Sequence, residues 1–274
     1  MKKINRRSFL AAAGLTAAAL ALTACGGSAS STASSTASSA AVSTSAAAEL
    51  TTVEAGKLPM ATNAAFPPYE MTTDAGEFEG IDIDTAKAIA EKLGLELQID
   101  DMDFDAALLS VQQGKADIVM AGVTVTDERK AVMDFSDSYA TGIQSIIVPE
   151  GSDITSPDDL AGKKIGTQRG TTGYIYCSDD FGDDAVVAYD DGLTAVQALK
   201  NGQVDAVVID NAPAKEFVAA NPGLVILDTS YAEEDYAIGL AKGSALEDAV
   251  NAALEELKAD GTLQSIVDKY ITAE

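Results

Sequence analysis

The sequence predicts an α/β fold of two similar lobes, and three observations support this prediction. From residue 57 onward, short β-branched runs alternate with segments of helical periodicity, a pattern typical of mostly parallel sheets with helices on both faces. The segments VQQGKADIVMAG (111–122) and ALKNGQVDAVVIDN (198–211) share one order: helix end, glycine, two residues, aspartate and apolar strand. The roughly 220 residues after the first fifty suffice for two lobes of about a hundred residues each.

The predicted strands are short apolar runs, and one helix has clear boundaries. Residues 84–93 are predicted to be helical because their apolar residues follow the i, i+3, i+4, i+7 spacing of one buried face, and Gly94 is predicted to end this helix. In open α/β sheets ligands collect beyond the carboxyl ends of strands, which predicts a site at 121–124 and 209–211. The predicted strands are 58–62, 95–99, 118–121, 143–149, 164–167, 185–188, 206–209, 224–227 and 237–241.

The first fifty residues are predicted to direct export and to tether the folded part. A positively charged start is followed by the uncharged run 8–24, which is typical of a signal peptide spanning residues 1–24. The letters LTAC, ending at Cys25, resemble the lipobox of bacterial lipoproteins, which implies cleavage before Cys25 and its lipidation. An ordinary secretory signal is the alternative. Residues 25–50 are almost wholly Ser, Thr, Ala and Gly after the cysteine and are predicted to be a flexible tether.

Charge and composition exclude several classes of function. The formal net charge of −25 becomes −29 without the four positive charges of residues 1–24, so we expect no nucleic-acid partner and membrane contact through the lipid anchor only. The chain has no histidine, which excludes Ser-His-Asp triads and histidine-based zinc sites. With Cys25 lipidated, Cys177 has no disulfide partner and is predicted to be a small packed residue. We expect neither a metal nor a cofactor.

The stretch AGVTVTDERK (121–130) contains an arginine in an unfavourable place. Thr126 is a plausible N-cap of a helix, which puts Arg129 in the first turn, where the helix dipole favours acidic residues. Arg129 therefore either forms a local salt bridge with Asp134 or Asp137 or awaits an anionic ligand. Ala121, Gly122 and Thr124 lie at the same strand end.

Three further segments place polar or aromatic residues at strand ends. ATNAAFPPYE (61–70) carries Asn63 and Phe66, and is otherwise an ordinary exit from a strand into a turn. IGTQRGTTGY (165–174) follows a strand with Gln168 and then the turn 170–173, where Thr171 and Thr172 open a helix that can offer N–H groups to a carboxylate or phosphate. VVIDNAPA (207–214) puts Asp210 at a strand end, where it either caps the next helix or holds a ligand's ammonium group.

Six runs in order resemble the polar amino-acid family of extracellular solute-binding proteins, the capture subunits of ABC importers. The resemblance spans about 57–272 and implies two α/β lobes that close on a ligand like a clamshell. It implies lobe 1 at 51–140 plus 235–274, lobe 2 at 141–234, and two hinge strands near 139–143 and 232–236. The runs are ATNAAFPPYEM, GIDIDTAKAIAEKLG, FDAALLSVQQGKADIVMAGVTVTDERKAVMDFSDSY, DLAGKKIGTQRGTTG, ALKNGQVDAVVIDNAPA and YAIGLAKGS.

The resemblance also implies roles for individual residues. Arg129 corresponds to the arginine that grips the ligand α-carboxylate, with added hydrogen bonds from Gly122, Thr124 and Thr172, and Asp210 would receive the α-ammonium group. Aromatic residues sandwich the ligand, here Phe66 and Phe104. Where many relatives carry an aspartate, this chain has Asn63, and Ala121 and Gln168 complete a pocket expected to be uncharged, with Thr171 beside Thr172. These residues predict a neutral or polar amino acid such as glutamine or cystine.

We therefore expect extracytoplasmic capture of an amino acid by a monomeric, lipid-anchored protein that is not an enzyme. The implied partners are the free amino acid and the permease and ATPase of an ABC transporter. A sensory lipoprotein that binds its ligand without transport is an alternative. A second alternative is an enzyme similar to cyclohexadienyl dehydratase, but the predicted pocket lacks an obvious general acid for it.

Overall fold

The computed structural model describes residues 50–271. The predicted signal peptide (1–24), the lipidated Cys25 and all but the last residue of the predicted tether lie outside the described residues. Within the described part of the chain, no helix is both long and apolar enough to cross a membrane.

The first lobe is built around a five-stranded sheet with the order β5-β1-β6-β14-β7. Strand β1 is parallel to both of its neighbours, β5 and β6, whereas β14 runs antiparallel to the strands on either side of it. A small antiparallel sheet of three strands lies in the same lobe. The strands are β1 (Lys57–Thr62), β2 (Ala65–Phe66), β3 (Glu70–Thr72), β4 (Phe78–Glu79), β5 (Glu96–Asp101), β6 (Ile118–Val119), β7 (Met133–Phe135) and β14 (Gly239–Ala241). The helices are α1 (Ile81–Leu93), α2 (Phe104–Gln112), α3 (Asp127–Val132), α7 (Glu247–Ala259) and α8 (Thr262–Tyr270).

The second lobe is built around a sheet with the order β10-β9-β11-β8-β12, and β13 adds to β8. Its strands β9, β10 and β11 are parallel, whereas β8 runs antiparallel to each of its neighbours. The strands are β8 (Ala140–Pro149), β9 (Ile165–Gln168), β10 (Val186–Tyr189), β11 (Ala206–Asp210), β12 (Leu224–Ile226) and β13 (Ala232–Tyr236). The helices are α4 (Thr172–Phe181), α5 (Gly192–Lys200) and α6 (Asn211–Ala220), with 3-10 turns at Pro157–Leu160 and Asp183–Ala185.

Two adjacent strands connect the lobes. The chain leaves the first lobe through β8 and returns to it through β13, and these strands pair from Ala140 opposite Tyr236 to Gln144 opposite Ala232. Because both crossings are hydrogen-bonded to each other, they form one antiparallel ribbon between two packed lobes. The fold is the predicted two-lobed clamshell.

Each predicted strand overlaps an observed strand, and the predicted helix end at Gly94 is confirmed by its left-handed conformation, with φ of 69°. The expectation of mostly parallel sheets is wrong, because both sheets are mixed. Strand β13 was not among the strands predicted from apolar runs, although the resemblance implied a hinge strand near 232–236, and the small three-stranded sheet was not predicted. The sequence AEEDY of β13 is rich in acidic residues that strands usually disfavour, and its pairing with β8 overrides that propensity. Cys177 is fully buried, as expected for a small packed residue.

The ribbon has little room for a larger side chain at Gly142. A Cβ atom at this position would lie 2.4 Å from Cζ of Tyr236, which is fully buried and packs edge-on against Tyr69. We predict that Gly142→Ala lowers the free energy of unfolding by about 1–3 kcal/mol, the usual cost of overpacking. Chemical denaturation measures this, with Thr141→Ala at the adjacent exposed position as control. An unchanged denaturation midpoint for Gly142→Ala would contradict the described packing.

Candidate functional site

A cavity lies between the two lobes, and the space between its walls, including the part open to solvent, is about 310 Å³. Every residue that the sequence predicted for ligand binding lines this cavity, together with Glu70, which was not predicted. The lining residues are Asn63, Phe66, Glu70, Phe104, Ala121, Gly122, Thr124, Arg129, Gln168, Thr171, Thr172 and Asp210.

Arg129 is positioned by the start of α3 and by backbone carbonyl groups. Thr126 caps the helix as predicted, accepting the N–H of Arg129 at 3.1 Å. The guanidinium donates to the carbonyl of Thr124 at 2.8 Å and to that of Gly170, in the other lobe, at 3.1 Å. Its carbon lies 5.3 Å from the ring centre of Phe104. Burial lowers the pKa of Arg129, but a guanidinium remains charged at any physiological pH.

The local salt bridge that competed with a ligand role for Arg129 is absent among residues 50–271. Asp134 instead pairs with Lys242 at 2.6 Å, and the backbone N–H of Asp137 donates to Asn251. Arg129 is therefore a nearly buried cation, 8 % exposed, whose hydrogen-bonded partners are neutral carbonyl groups. A buried charge without a counter-ion is costly, which favours an anion in the cavity.

The start of α4 faces Arg129 from the second lobe. The Thr171 side chain caps this ten-residue helix by accepting the N–H of Tyr174 at 3.3 Å, and its hydroxyl donates to the carbonyl of Gln168. Thr172 is the first helical residue and lines the cavity. The first N–H groups of a helix have no partner within the helix and carry partial positive charge. Arg129 and the start of α4 thus place positively charged and N–H groups at one end of the cavity.

Asp210 provides the opposite charge. It ends β11 and occupies the N-cap position of α6, yet its side chain makes no capping bond, so the capping alternative is wrong. Its carboxylate accepts hydrogen bonds from Nε2 of Gln144 at 2.7 Å and from the hydroxyl of Tyr236. Burial and, to a lesser extent, nearby Glu234 raise the pKa of Asp210 to about 7, against the opposing effect of the hydrogen bonds from Tyr236 and Gln144. Such a carboxylate is poised to accept a cation.

The ribbon contributes two polar residues that sequence reasoning missed. Gln144 donates from Nε2 to Glu234 at 2.9 Å as well as to Asp210. The hydroxyl of Thr124, in the first lobe, also donates to Glu234, at 3.2 Å. Both missed side chains are buried. A signal did exist for Gln144, because it and Ser145 stand between Ile143 and the apolar run Ile146 to Val148, and a buried polar residue is more informative than an apolar one.

Glu70 adds an ionisable group to a pocket that we expected to be uncharged. It is fully buried, and within the described part of the chain neither carboxyl oxygen has a hydrogen-bond partner. Burial, reinforced by the neighbouring Asp82, raises the pKa of Glu70 well above its usual range. The sequence shows Glu70 only as the last letter of ATNAAFPPYE, and nothing in that pattern distinguishes it from an exposed strand residue.

Asp82 fixes the orientation of Gly122. One oxygen of this buried carboxylate accepts the N–H of Gly122 at 2.9 Å and the hydroxyl of Tyr139 at 2.8 Å. Burial raises the pKa of Asp82 to about 6, and these two bonds oppose the rise. The N–H of Gly122 is thus committed to Asp82, which corrects the expectation that Gly122 adds a hydrogen bond to a ligand carboxylate. Its carbonyl is the group left for a ligand.

The remaining lining residues close the cavity across the two lobes. Nε2 of Gln168 donates to the side-chain carbonyl of Asn63 at 2.8 Å, and Asn63 in turn donates to the carbonyl of Met102. Phe66 and Phe104 are nearly buried apolar walls. In the part of the chain that the structure describes, no group of three or more Cys, Asp or Glu residues is arranged so that it could hold a metal ion.

Known proteins resemble this chain over most of its length. A model of the bacterial extracellular solute-binding proteins, family 3, matches residues 58–273. The chain belongs to this family. Among curated family relatives, the probable histidine-binding protein of Neisseria gonorrhoeae is 33 % identical over 279 residues, covering 99 % of this chain and 98 % of that protein.

Solved structures of similar solute-binding proteins have the same fold. An ancestral arginine-binding protein bound to glutamine superposes with a TM-score of 0.76 at 43 % identity, covering 80 % of this chain and 100 % of that one. An ancestral arginine-binding protein bound to arginine gives a TM-score of 0.75 at 44 % identity, covering 79 % and 98 %. These similarities support the two-lobed fold of this family 3 protein over most of its described residues.

The raised pKa of Asp210 predicts how the ligand-free protein responds to pH. Its folded-state pKa of about 7 exceeds the ordinary 3.8, so its stabilising contribution is present below pH ~4 and lost as the pH rises through 7. At about 1.4 kcal/mol per pKa unit, we expect ionisation of Asp210 to lower the free energy of unfolding by on the order of 2 kcal/mol between pH 5 and pH 8. Thermal unfolding at both pH values measures the loss.

Asp210→Asn removes the titrating group, so it should reduce the difference in stability between pH 5 and pH 8. Asp228→Asn, at an exposed position, is the matched control and should leave the difference as in the wild type. Equal pH dependence for the wild type and Asp210→Asn would show that Asp210 does not titrate as described.

Proposed function

We propose that this solute-binding protein captures a free α-amino acid outside the cytoplasm and delivers it to an ABC transporter permease and ATPase. One observation carries the proposal: Arg129 in the first lobe and Asp210 in the second line the same small cavity. A free amino acid has one carboxylate and one ammonium group at a fixed separation. Two opposite charges on different lobes therefore fix the orientation of the amino acid, and their contacts with it stabilise the closed arrangement of the lobes.

The carboxylate belongs at Arg129. The guanidinium has more N–H donors than the two used by the carbonyls of Thr124 and Gly170, and its planar fork suits a carboxylate. The first turn of α4, which begins at Thr172, adds N–H groups and a hydroxyl from the opposite side. An anion held between these groups would neutralise Arg129 and hold the lobes together.

The ammonium group belongs at Asp210. The bonds from Gln144 and Tyr236 orient this carboxylate, and burial makes an unpaired negative charge costly. A ligand ammonium would supply the missing counter-charge. The carbonyl of Gly122, whose N–H is turned towards Asp82, is a second acceptor that lines the cavity.

The side chain of the ligand meets Glu70 and Asn63 between the walls formed by Phe66 and Phe104. A buried carboxyl without a hydrogen-bond partner is best compensated by a cationic group. We therefore propose a cationic amino acid such as arginine, in place of the neutral ligand expected from the sequence. The ancestral protein bound to arginine supports this choice, and the one bound to glutamine makes glutamine the alternative to test.

The anchoring and domain boundaries remain part of this proposal. Signal-peptide removal before Cys25 and lipidation of that residue would hold the protein at the outer face of the cell membrane. Residues 51–140 with 235–274 would form lobe 1, and 141–234 lobe 2, with the protein acting as a monomer. Binding rather than catalysis is the proposed activity, since the relatives reported above are named as binding proteins.

Loss of the carboxylate-binding cation should abolish most of the affinity. We predict that Arg129→Ala weakens amino-acid binding by at least a hundredfold, about 3 kcal/mol, because the ligand carboxylate is then buried without a counter-charge. Isothermal titration calorimetry measures this. Arg169→Ala is the matched control, since Arg169 is exposed and pairs only with Asp190 at 3.5 Å. Affinities of the Arg129→Ala variant within threefold of wild type would contradict the proposed orientation.

Glu70 should distinguish cationic from neutral ligands. We predict that Glu70→Gln weakens L-arginine binding at least tenfold, because it removes the carboxyl group that would ionise beside the cationic side chain of the ligand, and changes L-glutamine binding by less than about threefold. Calorimetry with both amino acids measures the two changes, and the exposed Glu77→Gln is the control. A wild type that binds glutamine but not arginine would overturn the proposed ligand class and leave amino-acid capture intact.

A further inference from the structure

We infer that Glu234 is a positioning residue for the ammonium end of the site, acting through the hydroxyl of Thr124. Glu234 lies on strand β13 of the ribbon and is not among the residues that line the cavity. Thr124 does line it. The inference rests on the proposed capture of an α-amino acid and assigns a role to a residue behind the ligand-contacting layer.

The hydrogen bonds around Glu234 have a defined direction. One oxygen of its carboxylate accepts from the hydroxyl of Thr124 at 3.2 Å and from Nε2 of Gln144 at 2.9 Å. A carboxylate oxygen accepts hydrogen bonds, and a threonine hydroxyl has only one hydrogen to donate. When the hydrogen of Thr124 is used towards Glu234, the hydroxyl of Thr172, 3.5 Å away, can donate to the same oxygen, and one lone pair of Thr124 remains for a ligand.

This direction makes Thr124 an acceptor at the cavity surface. A ligand ammonium group has three N–H bonds and accepts none, so it needs acceptors on several sides. Asp210 supplies a carboxylate, and the carbonyl of Gly122 is free because its N–H donates to Asp82. The oxygen of Thr124 is the third acceptor. Without Glu234, its hydrogen could rotate towards the ammonium group and oppose binding.

Glu234 also shares Gln144 with Asp210. Nε2 of this amide donates to both carboxylates, at 2.7 Å to Asp210 and at 2.9 Å to Glu234. The amide therefore fixes the two acids relative to each other, which places both negative groups on one side of the site. Thr124 comes from the first lobe, so its bond to Glu234 also ties that lobe to the ribbon.

Glu234→Gln tests the role because glutamine has nearly the same shape but can donate a hydrogen bond to Thr124. We expect the variant to bind L-arginine or L-glutamine, whichever the wild type binds more tightly, at least tenfold more weakly in calorimetry. Glu233→Gln, the exposed neighbour on the same strand, is the matched control and should bind within twofold of wild type. Circular dichroism and thermal unfolding establish that each variant is folded.

A double-mutant cycle separates positioning from general support of the fold. If Glu234 acts through the hydroxyl, then Thr124→Val should weaken binding and Glu234→Gln should add less than about twofold in the Thr124→Val background. In the Thr124→Ser background, which retains the hydroxyl, the full loss caused by Glu234→Gln should return. A structural role alone would give the same loss in both backgrounds.

Three results would overturn the inference while leaving amino-acid capture intact. They are wild-type affinity for Glu234→Gln, full additivity of Glu234→Gln with Thr124→Val, and equal affinities of Thr124→Val and Thr124→Ser. The last comparison does not depend on how well Glu234→Gln folds. A wild-type protein that binds no amino acid would instead reject the proposed function itself.

Discussion

The pairing of β8 with β13 is the constraint on which the site depends. These strands carry the chain out of the first lobe and back into it, and they are hydrogen-bonded to each other from Ala140 to Gln144. Because the crossings are adjacent, Gln144, Glu234 and Tyr236 come together behind the cavity, where they hold Asp210 and Thr124. A site divided between two lobes therefore has a fixed polar base.

Burial of charge opposes the stability of the empty site and favours a ligand in it. Arg129, Asp210 and Glu70 are all buried. Burial lowers the pKa of Arg129 and raises the pKa of the two acids, so it favours the neutral form of each group. Arg129 and Asp210 line one cavity, but among the residues that the structure describes they form no ion pair with each other. Each charge can therefore pair with a third group. A zwitterion neutralises both buried charges, whereas a ligand with one charge leaves the other unpaired. The cost of burying charge therefore favours a ligand with two opposite charges.

The sequence predicted the residues that line the cavity better than the residues that pack behind them. Arg129 and Asp210 could be found because strand ends and helix starts are visible in local patterns, and an arginine in a first turn conflicts with the helix dipole. Glu234 belongs to a strand whose composition disfavours strands, so the residue pattern does not show it; the resemblance placed a hinge strand there, but the hydrogen bonds of Glu234 follow only from the pairing with β8. Glu70 follows an unremarkable turn, and its burial depends on the packing of distant segments that no local pattern records.

At the proposed ammonium end, two acids behind the contact atoms determine whether those atoms donate or accept hydrogen bonds. Asp82 takes the N–H of Gly122, and Glu234 takes the hydrogen of Thr124, so a backbone group and a hydroxyl both present acceptors to the cavity. Neither Gly122 nor Thr124 identifies itself as an acceptor, since each carries a donor as well. A substitution behind the cavity can therefore reverse a contact without touching the ligand, and the residues that line such a site do not by themselves specify what it binds.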